Sequence, residues 1–539
     1  MSIITKLKIL NFKSFEKFEL EFSEGANIIV GNNEAGKSTI LEAIHLCLTG
    51  YFHGKILKND LTQYIFNKKV EQDFLQSINM GNPVLPPVVD IELFLKGEGL
   101  EKLSGDGNSD KVSNISILYR VEFDKDFQED YDELVKSKTL QNIPIEFYKV
   151  TWRSSSREAI ASRNIPLKSA LIDSSSVKFN NGSDIYVSRI IKDDLEASER
   201  ASISQAYREL KEIFVAKDSI KSINSKLSSK SKISDKNIQI SVDLSSKNAW
   251  ESTLMTYLDE IPFHYIGKGE QCMIKTKLAL SHSNNSNSNV ILIEEPENHL
   301  SHSKLNEFVS CLADELTDKQ LIISTHSSFI ANKLGLSNLI LINNKKSTRL
   351  DKLDSETQEF FKKLPGYQTL RLILSKKIIL VEGPSDELLV QRAYFDKFKN
   401  IPIQKGIDVI SVGLTFKRFL EIAQLIDKDI CVVTDNDHDF DNKITKKYAE
   451  FSGSAFIKIF ADNRNELNTL EPQVVDANSA DLESFAKIVG VDFSKYNTAD
   501  LISEYLIKNK TDWALMAFES KDNIAYPQYI SDTINWANE

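Results

Sequence analysis

Two rhythms of hydrophobic residues alternate along the chain, and their order already suggests its architecture. From Ile4 to Asn11 apolar and polar positions alternate, with Ile4, Leu7 and Ile9 leading to Phe12, which predicts an edge β-strand. Ala26–Val30 is a short solid apolar run of the kind buried on both faces. Directly behind it Ile40, Leu41, Ile44 and Leu48 recur at helical steps, so a helix is expected to dock on that strand. Pro86–Leu95 and Ile115–Phe123 return to period two and predict antiparallel strands, separated by the polar loop Gly97–Asp110.

In the middle of the chain Leu195, Ile203, Tyr207, Leu210 and Phe214 stand at three- and four-residue steps, an amphipathic helix. Lys217–Lys247 is rich in Lys and Ser and reads as a solvated helical arm or loop more readily than as a nucleic-acid patch. Three apolar strands follow, at Asn289–Glu294, Leu321–Ser324 and Asn338–Asn343. After a charged connector, Lys352–Arg371, the order is strand 377–381, helix 384–397, strand 407–412, helix 415–427 and strand 430–434. That alternation predicts a small parallel βαβ domain. A further strand, Phe456–Phe460, and two aromatic-bearing helices opening near Lys510 and Tyr526 complete the pattern.

Composition changes this picture in only a few respects. A chain of 539 residues is too long for one core, so two or three domains are expected. Its 41% apolar and 27% charged residues describe a soluble globular protein. The net charge of −11 argues against nucleic-acid binding over the whole surface and leaves room for a local basic groove or for DNA docking through bound metal. Cys47, Cys272, Cys311 and Cys431 are scattered and read as reduced thiols. The apolar runs are strand-length and the N-terminus carries no signal-peptide core, so a cytoplasmic protein without a membrane partner is expected.

Candidate chemistry begins where the first buried strand ends. Gly31-Asn32-Asn33-Glu34-Ala35-Gly36-Lys37-Ser38-Thr39 is a G-x-x-x-x-G-K-[ST] loop between a strand and a helix, the context that phosphate binding requires. Its backbone N–H groups would cradle a β-phosphate, Lys37 would reach the β/γ-phosphates, and Ser38 would ligate Mg²⁺. Gly267, Gly269 and Gln271 open another helix and make a weaker anion-binding signal. The strand ending in Glu294 and Glu295 offers one acid for the Mg²⁺ shell of an ATPase and one to polarise water. His326, after a later strand, is placed to contact a γ-phosphate.

A second constellation lies near the C-terminus. The strand from Lys377 delivers Glu382, and after Gly383-Pro384-Ser385 the acid Asp386 opens a helix. Strand 430–434 ends in Asp435-Asn436-Asp437, and Glu471 follows a further strand. Open α/β sheets place their chemistry at such strand ends. Clustered carboxylates favour a hard divalent cation, whereas the same acids taken singly would serve as caps for the helices behind them.

Residues 1 to about 355 resemble an ABC-type ATPase of the SMC/RecF-like branch. Walker A is Gly31–Ser38, the signature Gly267–Gln271, Walker B Ile291–Glu295 and the switch histidine His326. Glu294 stands where Asp is usual, and the signature lacks its leading Ser. A lone glutamate followed by D-x-D is similar to the Toprim pattern. Together with T-L-E at Glu471 and K-x-x-W-A at Lys510, the whole chain resembles the OLD (overcoming lysogenization defect) family of ATP-dependent endonucleases. The implied fold is α/β: an SMC/RecF-like ABC ATPase with a helical insertion, followed by a Toprim βαβ domain. The implied divisions are ATPase 1–175, insertion and dimerisation segment 176–245, ATPase 246–355 and nuclease 372–539.

The same resemblance implies ATP and Mg²⁺ or Mn²⁺ as cofactors, and two-metal hydrolysis of DNA. Glu382, Asp386, Asp435 and Asp437 would hold one metal, Glu471 would help with the second, and Lys510 would stabilise the transition state. It also implies a homodimer or higher oligomer and a role in bacterial anti-phage defence of Gabija or retron-associated type. A co-encoded partner would be a helicase-like protein, or a reverse transcriptase with its RNA/DNA. Lys376, Lys377, Lys417, Arg418, Lys446 and Lys447 flank the acids and are the expected phosphate contacts. The alternatives are a RecF-like DNA-binding protein, or a nucleotide-sensing regulator with a non-catalytic Toprim domain.

Overall fold

The computed structural model of the protein describes residues 2–81, 84–136, 140–172, 195–230, 240–241, 256–281, 290–315, 319–364, 366 and 369–539. The chain forms two compact units: Met1–Thr325 with Ile342–Ser347, and His326–Leu341 with Thr348–Glu539.

In the first unit, β1 (Ile3–Phe12) pairs antiparallel with β2 (Phe15–Glu21) on one side and β4 (Val89–Lys96) on the other. β4 pairs in turn with β5 (Asn114–Phe123), and β5 with β6 (Tyr148–Ser154). β1 is therefore an interior strand, not the edge strand its alternation predicts. Alternation reports that one face is buried and says nothing about how many neighbours flank the strand. A second, parallel sheet runs in the order β7 (Ser169–Ile172), β8 (Val290–Glu294), β9 (Gln320–Ser324), β3 (Ala26–Gly31). Its strands are almost solidly apolar because α1 (Lys37–Thr49) covers them. Ile40, Leu41, Ile44 and Leu48 are buried, as their spacing requires.

The expected insertion over 176–245 lies outside the described residues at 176–194, 231–239 and 242–245. Its described part is helical, with α2 (Ala197–Ala216) and α3 (Asp218–Lys230) carrying the exposed apolar residues Leu210, Ile213 and Ile223. The Lys/Ser-rich stretch is thus a helix over its first part; its residues 231–239 and 242–247 fall outside the described set. α4 (Lys268–Ser281) follows later in the unit.

The second unit holds a four-stranded parallel sheet, β11 (Ile407–Ser411), β10 (Lys377–Val381), β12 (Ile430–Val433) and β13 (Ile457–Phe460), in that spatial order. The crossovers are α5 (Pro384–Phe398) and α6 (Phe416–Leu425). The charged connector is itself helical in part, at Ser355–Lys363 and from Thr369 onward. Five further helices close the unit: α7 (Leu470–Ala477), a short helix at Leu482–Ile488, α8 (Ala499–Lys508), α9 (Lys510–Glu519) and α10 (Gln528–Asn538). Trp513, Ala514 and Ile530 join Ile379, Val381 and Val433 in one core. Arg392 fastens α9 to α5. Its buried guanidinium donates to the carbonyls of Ala517 at 2.7 Å, Phe518 at 3.1 Å and Asp522 at 3.1 Å, and to that of Ser520, while its Nε pairs with Asp396.

Candidate functional site

Two sites are built independently, one in each unit. In the first, β3 ends at Gly31 and α1 begins at Lys37. The turn between them needs glycine at Gly36, where φ is +105° and a Cβ would lie 2.4 Å from the Phe15 ring. Lys37 is buried, and its Nζ donates to the Gly31 carbonyl at 3.1 Å and the Asn32 carbonyl at 3.4 Å. Burial lowers the Lys37 ammonium from its ordinary value, opposed by the charges of Glu295, Glu297 and Glu294. The two acids at the end of β8 are therefore within electrostatic range of the loop lysine. A glycine-turned loop at a helix start with one desolvated ammonium fits a polyphosphate.

Ser38 is exposed at the mouth of the loop, whereas Thr39 is buried and accepts from Ser14 Oγ at 2.9 Å. Asn32, Asn33 and Glu34 are exposed, with Ala35 half-buried. Glu295 takes a left-handed backbone, φ 41°, fixed by its N–H to the Ser324 carbonyl at 2.9 Å, and its carboxylate accepts from Asn298 at 2.8 Å. Sequence patterning missed two participants. Glu297 accepts from Thr325 Oγ1 at 2.8 Å, and Lys345 donates to the Glu34 carbonyl at 2.8 Å. Lys345 sits about three hundred residues away from the loop it supports, so no local spacing announces it.

Gly267 and Gly269 turn out to differ. A Cβ on Gly267 would meet open space, but one on Gly269 would lie 2.2 Å from the His299 carbonyl. Gln271 is buried, and its side chain donates to the Ile266 carbonyl at 2.7 Å, tying off the start of α4 within its own chain. His326 is exposed and is the first residue of the second unit, directly after β9.

In the second unit, Glu382 leaves β10 and Asp435 leaves β12, and these strands are parallel neighbours in register Val381 to Val433. The chain crosses from β10 out to β11 and returns to β12 on the opposite side. The two acids thus flank the point at which strand order reverses, where open sheets bind ligands. Thr434 donates its hydroxyl to Glu382 Oε1 at 2.5 Å, and the Asp435 N–H donates to the same oxygen at 3.1 Å. Asp386 caps its own helix, accepting the Gly383 N–H at 3.1 Å.

The helix-cap and ligand readings of these acids are therefore not exclusive. Asp386 does cap α5, yet it is pushed up to about 7, first by burial and then by Glu382, with Glu471 adding to it. Asp435 is pushed up to about 9 by burial, then by Glu382, Asp386, Glu471 and Asp437. Both keep a partial opening to solvent. Glu471, in the first turn of α7, is buried. Asp437 is exposed, with φ 47°, and pairs with Lys443 at 3.3 Å. Between them Asn436 points inward. Fully buried, it donates to the carbonyls of Asp462 at 2.9 Å, Arg464 at 2.9 Å and Leu467 at 3.2 Å.

Lys510 is exposed at the first turn of α9 and is paired with none of these acids. Among the described residues no three of His, Cys, Asp and Glu converge closely enough to form a ready-made metal group. Five carboxylates nevertheless share one edge, and Asp386 and Asp435 register the others' charge. A divalent cation, which neutralises like charges with oxygen ligands, fits that donor set.

A family model described as AAA ATPase domain matches residues 2–331, more than half of the chain. The chain belongs to the AAA ATPase domain family. Behind the ATPase, residues 373–437 match the model described as Overcoming lysogenization defect protein-like, TOPRIM domain, the span from β10 to the second aspartate of Asp435-Asn436-Asp437. This AAA ATPase is similar to Endonuclease GajA of Bacillus cereus (strain HuB5-5), 22% identical over 93% of this chain and 85% of that protein. It is also similar to the DNA replication and repair protein RecF of Clostridium botulinum (strain Eklund 17B / Type B), 28% identical over 22% of this chain and 30% of that one. The solved C-terminal region of the Xanthomonas campestris pv. campestris OLD protein aligns with a TM-score of 0.25 at 18% identity, over 31% of this chain and 94% of that chain. Among the described residues no helix is long and apolar enough to cross a membrane.

Proposed function

We propose that the protein is a nucleotide-governed, metal-dependent DNA endonuclease acting in bacterial anti-phage defence in the cytoplasm. The observation that carries the reading is the raised pair Asp386 and Asp435, held with Glu382, Asp437 and Glu471 at one parallel-sheet edge. The kinship to a protein named Endonuclease GajA over 93% of this chain supports it.

In this reading residues 1–175 and 246–355 bind ATP, 176–245 joins two copies in a homodimer or larger assembly, and 372–539 cuts DNA. Glu382, Asp386, Asp435 and Asp437 hold Mg²⁺ or Mn²⁺, with Glu471 toward a second ion. Bound cations supply a polarised phosphate and an activated water for in-line displacement. Thr434 orients Glu382, and the exposed Asp437 is the ligand nearest arriving DNA. Lys510 serves the transition state only if DNA or a partner copy brings it to the phosphate. In the ATPase, Ser38 and Glu294 serve the Mg²⁺ shell, Glu295 polarises water, His326 reads the γ-phosphate, and Gly267, Gly269 and Gln271 face the nucleotide of a second copy. A co-encoded helicase-like protein or reverse transcriptase would direct the nuclease.

The test is cleavage of supercoiled plasmid by the full chain with Mg²⁺ or Mn²⁺, with and without ATP, against Asp435→Ala. Loss of cutting in the variant is expected. Equal cutting by both would leave instead the RecF-like DNA-binding protein or the nucleotide-sensing regulator. Titrating ATP against Glu295→Gln separates ATP that drives cleavage from ATP that restrains it. In the first case the variant cuts less at every concentration, and in the second it stays restrained.

A further inference from the structure

The turn that carries Asp435 and Asp437 follows β12, whereas Glu471 stands on α7 after β13, so some contact must hold the two in register. Asn436, between the two aspartates, donates to the Leu467 carbonyl at 3.2 Å. Gln473 Nε2 donates to the same carbonyl at 2.8 Å. Gln473 is fully buried and lies in the opening turn of α7, two residues after Glu471. One carbonyl oxygen therefore joins the Asp435-Asn436-Asp437 turn to the helix turn that bears Glu471, through hydrogen bonds alone. A second tie runs beside it, from the Asp437 N–H to the Asn468 carbonyl at 3.3 Å.

Gln473 serves this carbonyl only while its amide faces the right way. A flipped amide would set Oε1, an acceptor, against the Leu467 carbonyl, another acceptor. Tyr529 decides the orientation. From α10 its hydroxyl donates to Gln473 Oε1 at 2.7 Å, which leaves Nε2 for Leu467. Burial pushes the Tyr529 phenol up, so the hydroxyl keeps its proton and acts as the donor. Tyr529 lies in the same core as Val474, Val475 and Ile530, where apolar side chains would fill the space without desolvating a hydroxyl and an amide. What the polar pair adds there is direction: it aims one amide at one carbonyl.

We propose that Tyr529 and Gln473 are positioning residues that, through the Leu467 carbonyl, set how Glu471 stands against Asp435 and Asp437 and so how tightly these acids take a divalent cation. This rests on the nuclease reading above. Both residues are buried behind the acids, touch no substrate and give up no proton. Groups that orient metal ligands from behind change metal affinity or activity about ten- to a hundredfold when they are removed.

The test uses the full chain as wild type, Asp435→Ala, Tyr529→Phe, Gln473→Met and the double variant of the last two. Mn²⁺ is titrated in plasmid cleavage, at the ATP concentration at which wild type cuts best. It is titrated separately in thermal melting without nucleotide, where the rise of the midpoint reads metal binding apart from catalysis. Tyr529→Phe and Gln473→Met should each raise the Mn²⁺ concentration for half-maximal cleavage about tenfold, with KM for plasmid near wild type and a smaller Mn²⁺-induced rise in melting. The double variant should need no more Mn²⁺ than Gln473→Met alone, because Tyr529 acts only through Gln473. A Mn²⁺ requirement within about twofold of wild type in both single variants, while Asp435→Ala is inactive, overturns the relay and leaves the nuclease standing. A double variant whose requirement multiplies the two single effects overturns it as well. Equal cleavage by wild type and Asp435→Ala removes the nuclease reading, and this proposal with it. Should Gln473→Met not fold, Tyr529→Phe, which removes a single oxygen atom, decides alone with the same expected and overturning results.

Discussion

Thr434 and Glu382 are joined across two neighbouring parallel strands by a 2.5 Å hydrogen bond, with the hydroxyl of the first donating to the carboxylate of the second. The Asp435 N–H reaches the same oxygen. Oxygen Oε1 is thus held by two donors, which leaves Oε2 as the atom free to turn toward a ligand. Thr434→Val removes the hydroxyl donor with almost no change of volume. Bonds to charged groups contribute about 1.5–3 kcal/mol, so cleavage should fall roughly ten- to a hundredfold. Thr434→Ser, which keeps the hydroxyl, should recover most of it. Plasmid-cleavage rates for the three proteins decide the matter, and an unaffected Thr434→Val would mean that Glu382 is positioned by something else.

The raised acids give the protein a pH signature. Asp435 and Asp386 move from 3.8 to about 9 and about 7. Each holds a proton in the folded chain at pH values where the unfolded chain has released it. Stability without divalent cation should therefore fall as pH climbs from near 3.8 through about 9. Asp435→Asn removes the largest part of this, and near pH 8 it should raise the metal-free melting midpoint by roughly 2–4 °C for each kcal/mol relieved. Millimolar Mg²⁺ should stabilise the wild type at that pH and the variant much less. A midpoint independent of pH and of Mg²⁺ in both proteins would refute the coupling.

Much of this was legible in the sequence because the parts are local. A strand, a turn and a helix fit within a dozen residues at Gly31–Lys37 and again at Glu382–Asp386, so period and turn chemistry announce them. What was illegible is what the fold assembles from afar. The alternation of β1 fixed its buried face without revealing that β2 and β4 flank it on both sides. Lys345 supports a loop some three hundred residues upstream. Asn436 lay inside a recognised acidic motif, yet only the packed structure shows it turned inward onto three carbonyls while its neighbours face the edge. Thr434 reads as the end of a buried strand, and its hydroxyl matters only once β10 lies beside it.

Gly267 and Gly269 can now be separated by experiment. Alanine at Gly269 would press a Cβ against the His299 carbonyl, a 2.2 Å approach that backbone cannot yield to cheaply. Gly269→Ala should therefore lower the melting midpoint as well as ATP hydrolysis. Gly267→Ala meets open space, so its melting should match wild type. If Gly267 faces the nucleotide of a second copy, hydrolysis should drop about tenfold or more with nucleotide binding retained, as an interaction made only in the assembled transition state requires. Hydrolysis and melting both unchanged in Gly267→Ala would remove this glycine from the ATPase machinery.

Asn436 makes the strongest claim on stability. Its amide donates to the carbonyls of Asp462, Arg464 and Leu467 from a fully buried position, and its own oxygen accepts the His438 N–H at 3.0 Å. Asn436→Asp keeps the shape and replaces the donating NH₂ with an acceptor. Three buried carbonyls then face a carboxylate oxygen, and a sixth acid joins an edge where Asp386 and Asp435 already hold protons against their own charge. Losing a buried donor costs about 1–3 kcal/mol and a buried unpaired charge more, so the second unit should lose on the order of 3–5 kcal/mol near neutral pH. The loss should shrink in acid, where the new carboxyl is protonated and can donate once. Asn436→Ala, lacking the charge, should lose less and show no such recovery. Thermal melting of the three proteins at acid and neutral pH checks each step, and equal losses for Asp and Ala at both would show that hydrogen bonding alone, without charge, governs this position.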